Sequence, residues 1–486
     1  IAHQAKKMGN DSLRQFRDRF KLKLSDEQLE TLPFIKFPEN SAEYKYLKGV
    51  RDKLGGSLPA RRPKTTFKLE IPPLSFFDAQ VKGSEGREVS TTMAFVQMLT
   101  KMMREKSIGR HIVPIVPDES RTFGMEGMFR TFGIYSQVGQ LYRPEDADQL
   151  MYYKEDKSGQ ILEEGINEAG AMASWIAAAT SYSSSNVPMI PFFIYYSMFG
   201  FQRIGDLAWA AGDMRSRGFL IGGTSGRTTL NGEGLQHQDG HSHIISATVP
   251  NCLSYDPTFG YEVAVIVQRG LERMYRDQED VYYYITVLNE NYAHPAMPEG
   301  AEDGIIKGMY LFKAADAKAK GPRVQLMGSG AILREVIAGA ALLEKDFGVS
   351  ADIWSVTSFT ELRREALEAE RWNMLNPLEP SRVPYVTACL SSRGEAPVIA
   401  STDYMKLYAD QIRDFVPVPY KVLGTDGFGR SDYRSKLRSH FEVDRHFVAV
   451  AGLKILAEQN KIPSTKVAEA IKKYGIDPKK PSPARA

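Results

Sequence analysis

The chain has 486 residues, of which 43% are hydrophobic and 25% charged, and its formal net charge is +3. This length exceeds what one hydrophobic core usually organises, so the sequence predicts more than one domain. The small net charge argues against a nucleic-acid-binding protein or an electrostatic membrane anchor, and no apolar run is long enough to span a bilayer. Cys252 and Cys389 lie far apart, outside any metal-binding spacing, which favours a cytoplasmic address.

The first 85 residues follow no single hydrophobic period and are interrupted by prolines, so we predict a linker there. From Ser90, an expected helix N-cap, short apolar strands alternate with helices. The predicted strands are 112–116, 189–196, 218–221 and 281–288, and the predicted helices include 163–182 and 204–214. This alternation predicts an α/β domain with a mainly parallel sheet.

A cluster of prolines and glycines at 294–308 predicts a second domain boundary. Beyond it, strands are expected at 324–327, 352–356, 398–401 and 420–423, and helices at 331–345, 403–415 and 444–474. A second α/β domain follows from this pattern. Its strand-end loops contain few histidines, so we expect it to serve as scaffold and dimerisation surface, with a disordered tail at 479–483.

Residues 231–243 contain three of the eight histidines, two carboxylates and three glycines. Imidazole changes its charge near neutral pH, and glycine lets the backbone approach a ligand. The spacing of His237, Asp239, His241 and His243 is compatible with a zinc hydrolase site, although no further ligand motif completes it. A purely structural role, or a cofactor and substrate pocket, also fits this pattern.

Two acidic positions are further candidates. Asp118 and Glu119 directly follow the strand that ends at Val116, where open α/β sheets bind ligands, but they could equally form a solvated loop with Arg121. Glu168 stands at the start of a helix of small apolar residues, where desolvation would suit it to share a proton with a ligand. The alternative is an ordinary acidic residue in a first helical turn.

An aromatic strand over 192–196 leads to Phe199. Aromatic runs of this kind are more often core than a cofactor platform. At a strand end, however, the Phe199 ring could stack on a flat heterocycle.

Several stretches together resemble the homodimeric bacterial pyruvate dehydrogenases, which are thiamine diphosphate-dependent decarboxylating components of the pyruvate dehydrogenase complex. The stretches that carry the resemblance are 118–127, 153–156, 159–168, 195–206, 224–237 and 423–432. They are long, and the resemblance extends over nearly the whole chain. It implies two successive parallel-sheet α/β domains, namely a pyrimidine-binding domain over 86–305 and a transketolase-type C-terminal domain over 320–486, preceded by a mobile loop and linker over 1–85.

The resemblance also implies roles for individual residues. Glu168 matches the glutamate that hydrogen-bonds the aminopyrimidine and promotes the tautomer that deprotonates the thiazolium carbon. Phe199 matches the ring stacked on the aminopyrimidine, and Tyr196 and His237 match residues near the substrate. The remaining matches are Asp118 and Glu119 in the active-site channel, and His3 in a mobile loop that passes the acetyl group to lipoyl.

The family's Gly-Asp-Gly motif with its following asparagine, which holds Mg²⁺ and the diphosphate, does not occur in this sequence. A similar sequence, Gly-Thr-Asp-Gly-Phe-Gly at residues 424–429, lacks that asparagine, and we interpret it as a structural loop. We therefore expect those ligands upstream of Ile1, and no metal ligand in this chain.

The expected partners are pyruvate, a second copy of the chain, and the lipoyl domain and core of dihydrolipoamide acetyltransferase. A transketolase, another 2-oxo acid decarboxylase and a non-catalytic assembly fragment remain alternatives. Transketolases need sugar-phosphate contacts, for which Arg227 is the clear nearby candidate.

Overall fold

The computed structural model describes residues 8–57, 62–117, 120–145 and 153–485. The chain divides into two compact units, residues 1–63 and 64–486. In the described part of the chain, no helix is both long enough and apolar enough to cross a membrane.

The first unit contains helices within the segment predicted as a linker. They are α1 (Asn10–Arg19), α2 (Asp26–Thr31) and α3 (Ala42–Lys53). Helix α2 begins at a capping box, because the Ser25 hydroxyl accepts from the Gln28 N–H at 3.3 Å while Gln28 Oε1 accepts from the Ser25 N–H at 2.9 Å.

The second unit begins with alternating strands and helices. In chain order these are α4 (Asp78–Val81), β1 (Glu88–Val89), α5 (Thr91–Arg104), β2 (Ile112–Val116), α6 (Glu126–Phe132), β3 (Ile134–Tyr135), β4 (Glu155–Asp156), β5 (Leu162–Glu163), α7 (Glu168–Ala179), α8 (Ser181–Ser184), β6 (Ile190–Tyr196), α9 (Ser197–Asp213), β7 (Phe219–Gly223), α10 (Ser242–Ser246), β8 (Cys252–Tyr255), α11 (Gly260–Leu271), β9 (Tyr282–Thr286) and β10 (Tyr292–Ala293). The Ser90 hydroxyl accepts from the Met93 N–H at 3.1 Å, which confirms Ser90 as the N-cap of α5.

The remainder of the second unit continues the alternation. Its elements are α12 (Glu302–Lys307), β11 (Met309–Lys313), β12 (Arg323–Gly328), α13 (Ile332–Phe347), β13 (Ser350–Val356), α14 (Phe359–Leu375), α15 (Tyr385–Ser391), β14 (Val398–Ser401), α16 (Leu407–Asp410), β15 (Tyr420–Leu423), α17 (Arg434–His440), α18 (Arg445–Glu458) and α19 (Ser464–Lys473).

Two sheets organise the second unit. The first sheet has six strands in the order β5-β2-β6-β7-β9-β8, and all neighbouring pairs are parallel. The second sheet has the order β11-β13-β12-β14-β15, in which β11 pairs antiparallel and the other pairs are parallel. The predicted fold class, two successive parallel-sheet α/β domains, is confirmed.

Strands β7 and β9 are buried along their whole length, as expected for parallel strands covered by helices on both faces. Helix α7 packs against β6 and α9, and its Trp175 indole donates to the Phe219 carbonyl at 3.0 Å. The opposite side of α7 is exposed at Ala173 and Ala177, so this helix is buried on one face only.

Several predicted element bounds differ from the structure. The helix predicted from residue 163 starts at Glu168, because the preceding residues form β5 and Asn167 caps the helix by accepting from the Gly170 N–H at 3.1 Å. The tail helix is divided at Pro463, which lacks the N–H that a continuous helix needs. The tail predicted as disordered contacts the fold, since Lys480 Nζ donates to the Ser439 carbonyl at 3.0 Å.

Candidate active site

The candidate site residues follow the carboxyl ends of neighbouring strands in the first sheet. Helix α7, which begins with Glu168, follows β5, and helix α9, which contains Phe199, follows β6. Residues 224–238 follow β7, the next strand in the sheet. Because all these strands are parallel, the three segments meet at one edge, where open α/β sheets bind ligands.

Glu168 is a buried carboxylate at this edge, with only 8% of its surface exposed. It is the first residue of α7, where the helix N-terminus favours a negative charge. Arg203 from α9 donates from Nη1 to Glu168 Oε1 at 2.5 Å. The structure therefore places the predicted acid on a fixed element, paired with an arginine to which sequence reasoning gave no role.

Tyr196, Phe199 and His237 form a second part of the site, here called the His237 cluster. Their ring centroids are separated by 5.2 Å for Tyr196–His237, 5.2 Å for Phe199–His237 and 6.1 Å for Tyr196–Phe199. Phe199 lies in the first turn of α9 rather than on the strand, because the helix predicted to begin near residue 204 begins at Ser197. The structure thus brings together three of the residues that the sequence nominated.

A loop from the second α/β domain, residues 424–432, contacts the segment that carries His237. Gln238, the next residue after His237, accepts from the Arg430 N–H at 2.8 Å and donates to the Arg430 carbonyl. The Ser431 hydroxyl donates to the Glu233 carbonyl at 2.7 Å. The loop interpreted as structural therefore supports the site, and the second domain contributes to it directly.

The other candidate metal ligands in the run diverge from His237. Asp239 accepts from the backbone N–H groups of His241 and Ser242, each at 3.0 Å, and so fixes the start of α10. His241 pairs through Nε2 with the Gln202 amide at 2.9 Å. Across the described residues, no group of three His, Cys, Asp or Glu side chains could hold a metal ion. The geometry does not support the zinc interpretation of this run.

His243 belongs to a separate cluster with Tyr284, Tyr404 and Tyr408, here called the His243 cluster. Its imidazole is fully buried and stacks on Tyr408 at 4.9 Å and 19°, with Tyr404 edge-on at 4.7 Å. Its Nε2 lies 3.0 Å from the Thr286 hydroxyl. Burial lowers the pKa of His243 from 6.5 to about 3, so the imidazole is neutral at physiological pH.

The same hydroxyl connects His243 to a buried acid. Thr286 Oγ1 donates to Asp256 Oδ1 at 2.8 Å. Burial raises the pKa of Asp256 from 3.8 to about 7, partly offset by hydrogen bonds from Thr286 and Ser329. This network lies between the two α/β domains rather than in the His237 cluster.

Arg227, the candidate for a sugar-phosphate contact, is only 6% exposed. Its Nη1 donates to the Gly427 carbonyl in the loop from the second domain, and its guanidinium packs against Gly240. The arginine is therefore used to join the two domains, which disfavours the transketolase interpretation.

Asp118, Glu119 and His3 lie outside the described residues. Ser120 follows the first two in the sequence, and its hydroxyl donates to Glu163, which also accepts from the Tyr153 hydroxyl at 3.2 Å. Sequence reasoning missed Glu163 and Arg203. A signal for Arg203 was present, since it stands four residues after Phe199 and hence on the same helical face.

These residues fit the aminopyrimidine half of the implied cofactor. The site offers a buried carboxylate at Glu168 and an incompletely buried ring at Phe199. Nδ1 of His237 is a buried polar atom that finds no hydrogen-bond partner among the described residues. A buried atom of this kind normally has a partner, so a ligand could supply it.

The chain is similar to known proteins over most of its length. The family model of the pyruvate dehydrogenase E1 component middle domain matches residues 69–295, and that of the transketolase-like C-terminal domain matches residues 308–444. The pyruvate dehydrogenase E1 component of Cupriavidus necator is 63% identical over 484 residues, covering 99% of this chain and 54% of that protein. The one from Escherichia coli (strain K12) is 60% identical over 488 residues, covering 100% of this chain and 54% of that protein.

Solved structures show the fold. Transketolase from Leishmania mexicana has a TM-score of 0.58 at 14% identity, over 92% of this chain and 54% of that one. Transketolase from Campylobacter jejuni has a TM-score of 0.57 at 15% identity, over 92% of this chain and 59% of that one. The chain spans about half the length of the curated relatives that it matches. A sequence identity of 63% over 99% of this chain confirms the resemblance, which covers about half of the pyruvate dehydrogenase E1 component and includes the middle domain of that family over residues 69–295.

Proposed function

We propose that this chain is part of a thiamine diphosphate-dependent enzyme that decarboxylates pyruvate, and that it supplies the pyrimidine-binding half of the cofactor site. One observation carries the proposal. A buried glutamate, Glu168, and the His237 cluster meet at the carboxyl edge of a parallel sheet. They do so in a chain 63% identical to a named E1 component.

Bound thiamine diphosphate would supply the electron sink that lets pyruvate lose carbon dioxide. Glu168 would hydrogen-bond the aminopyrimidine ring nitrogen from its buried position at the start of α7. Phe199 would support the flat face of that ring. Tyr196 and His237 would hydrogen-bond the keto acid, and His237 would take part in the proton transfers of the reaction.

Other parts of the proposal concern residues and partners beyond the described site. Asp118 and Glu119 would contribute acidic groups to the cofactor channel, with Glu119 taking part in proton transfer. His3 would help to pass the acetyl group to the lipoyl group of dihydrolipoamide acetyltransferase. Mg²⁺ and the diphosphate would be held by a domain outside this chain, and two copies would form a cytoplasmic homodimer.

We further propose residues 86–305 and 320–486 as the two domains, joined to the rest of the protein through residues 1–85.

Glu168→Gln tests the catalytic part of this proposal. The substitution keeps the shape of the side chain but removes its charge, so we expect pyruvate decarboxylation to fall by about 10²- to 10⁴-fold, the usual contribution of acid–base catalysis. The natural polypeptide, including any segment that adjoins this chain, should be titrated with thiamine diphosphate and Mg²⁺ by circular dichroism. Decarboxylation should then be assayed with an artificial electron acceptor.

Glu361→Gln is a matched control. Glu361 also lies in the first turn of a helix and pairs with an arginine, Arg364, at 2.9 Å, but it belongs to α14 in the second domain. We expect near-normal activity from this variant. Wild-type decarboxylation by the Glu168 variant would contradict the catalytic assignment. Absence of any cofactor signal from the wild type would favour a non-catalytic assembly role.

His3→Ala tests the transfer step separately. We expect lipoyl acetylation to fall by a larger factor than decarboxylation measured with an artificial acceptor, because the residue is proposed to act after carbon dioxide has left. Equal losses in the two assays would show that His3 acts earlier.

A further inference from the structure

The guanidinium of Arg203 makes two contacts at once inside the candidate site. Its Nη1 donates to Glu168 Oε1 at 2.5 Å, and its Cζ lies 4.4 Å from the centroid of the Phe199 ring. The first contact joins α9 to α7, and the second stays within α9, four residues along the helix. One planar group therefore bridges the acid and the ring of the site.

These are the same two groups that the proposed function gives to the aminopyrimidine. A guanidinium resembles that ring system in the relevant respects, because it is flat, delocalised and edged with N–H donors. It hydrogen-bonds a carboxylate at its edge and stacks on an aromatic ring with its face. Both contacts are already satisfied by a side chain of the protein itself.

Arg203 is not confined to this position by packing. Its side chain is 48% exposed, whereas that of Glu168 is 10% exposed. The guanidinium could therefore turn into solvent without opening the core, while the glutamate would stay where it is. An ion pair with one partner so exposed is weak, which makes its replacement by a ligand feasible.

We propose that Arg203 is an internal competitor for the aminopyrimidine position. It occupies Glu168 and the face of Phe199 when the cofactor is absent and leaves when the cofactor binds. This inference rests on the proposed function. If the site can bind only in those molecules in which Arg203 is displaced, the apparent Kd equals the intrinsic Kd divided by the fraction of such molecules. Removing the arginine should therefore tighten cofactor binding.

The test uses Arg203→Ala and Arg203→Gln in the natural polypeptide, with thiamine diphosphate titrated at saturating Mg²⁺ and binding followed by circular dichroism. We expect the Kd to fall by about 10-fold in Arg203→Ala, as for a site that is about one-tenth populated. An unchanged or higher Kd would overturn the proposal, since a higher value would mean that Arg203 positions Glu168 for the cofactor.

Free guanidinium provides a second measurement on Arg203→Ala, with the wild type as its comparison. At millimolar concentration it should fill the space left in Arg203→Ala and compete with thiamine diphosphate, raising the Kd of that variant toward the wild-type value. The wild type should not respond, because its own guanidinium already occupies the position. Equal responses of the two proteins would contradict the proposal.

Arg276→Ala is the matched control, because its side chain is 50% exposed and pairs with Glu272 at 2.6 Å on a different helical segment. Its Kd should equal that of the wild type. Failure of the proposed function would look different, since neither the wild type nor Arg203→Ala would then bind thiamine diphosphate. A third outcome would overturn this inference alone. In that case the wild type would bind thiamine diphosphate, Glu168→Gln would abolish the binding, and Arg203→Ala would not lower the Kd.

Discussion

The His237 cluster and the His243 cluster contain the same kinds of side chain, and their histidines are only six residues apart in the chain. His237 is half-buried beside Tyr196 and Phe199, which come from the same domain. His243 is fully buried against Tyr404 and Tyr408, which come from the second domain. Access to solvent and the origin of the neighbours therefore separate a candidate catalytic histidine from a structural one.

The largest difference between the clusters should appear in stability. We expect His243→Ala to lower the free energy of unfolding by about 2–4 kcal/mol, because a fully buried aromatic group leaves a cavity between the two domains. His237→Ala should cost less than about 1 kcal/mol, as for partly exposed positions, while impairing activity. Urea unfolding of both variants measures this contrast. Similar losses of unfolding free energy in the two variants would show that the clusters do not differ in this way.

The support of the His237 cluster by the loop at 424–432 can be tested at Gly429. A Cβ at this position would overlap the Leu235 carbonyl, so Gly429→Ala should destabilise the protein by about 1–3 kcal/mol and displace His237. The matched control is Gly205→Ala on α9, where a Cβ meets nothing within 4 Å. Urea unfolding and kcat/KM should both separate the two variants, and normal values for Gly429→Ala would show that the loop is dispensable.

The free energy of unfolding should also depend on pH around the His243 cluster, because His243 and Asp256 affect it in opposite directions. In the folded chain His243 stays neutral down to pH about 3, whereas in the unfolded chain it takes up a proton below pH 6.5. Its contribution to the free energy of unfolding is therefore lost as the pH falls from 6.5 to about 3. The folded chain keeps a proton on Asp256 up to pH about 7, so its contribution to stability is lost as the pH rises from 3.8 to that value. Each group contributes a slope of at most about 1.4 kcal/mol per pH unit.

In Asp256→Asn, His243 should therefore be the one group of this pair whose effect on the pH dependence of stability remains. Between about pH 7 and pH 5, unfolding free energies of this variant should fall more steeply on acidification than those of the wild type. His243→Gln should show the opposite change. Parallel pH profiles for all three proteins would show that neither group is buried as described.

The smallest effect is expected at the hydrogen bond between Gln202 and His241, just before α10. The hydrogen bond between Gln202 and His241 lies on the surface, so Gln202→Leu should change the free energy of unfolding by no more than about 0.5 kcal/mol. A larger loss in urea unfolding would mean that the short α10 depends on this contact.

The fold and part of the site could be predicted from the sequence because they depend on local patterns. Buried parallel strands are continuous apolar runs, and Ser90 is a cap that can be recognised from its position before an apolar stripe. Glu168 was identifiable as an acid in front of a helix of small residues. The pairing of Glu168 with Arg203 depends on how α7 packs against α9, which no local pattern specifies.

The separation of His237 from His243 has the same origin. Two partners of His243, Tyr404 and Tyr408, stand more than 150 residues later in the chain, and only the packing of the second domain brings them to it. A local concentration of histidines therefore indicated a region of interest but could not distinguish the two roles.

The tryptophans give this site a natural optical label. Trp175 is fully buried on the helix that begins with Glu168, whereas Trp209 is 54% exposed on the helix that carries Arg203. A buried indole emits at shorter wavelength and resists aqueous quenchers, so the two emissions can be separated with acrylamide. The other two tryptophans, Trp354 and Trp372, belong to the second domain. Once Trp354 and Trp372 are replaced by phenylalanine, fluorescence lifetimes can follow the two helices flanking the acid independently, without a dye.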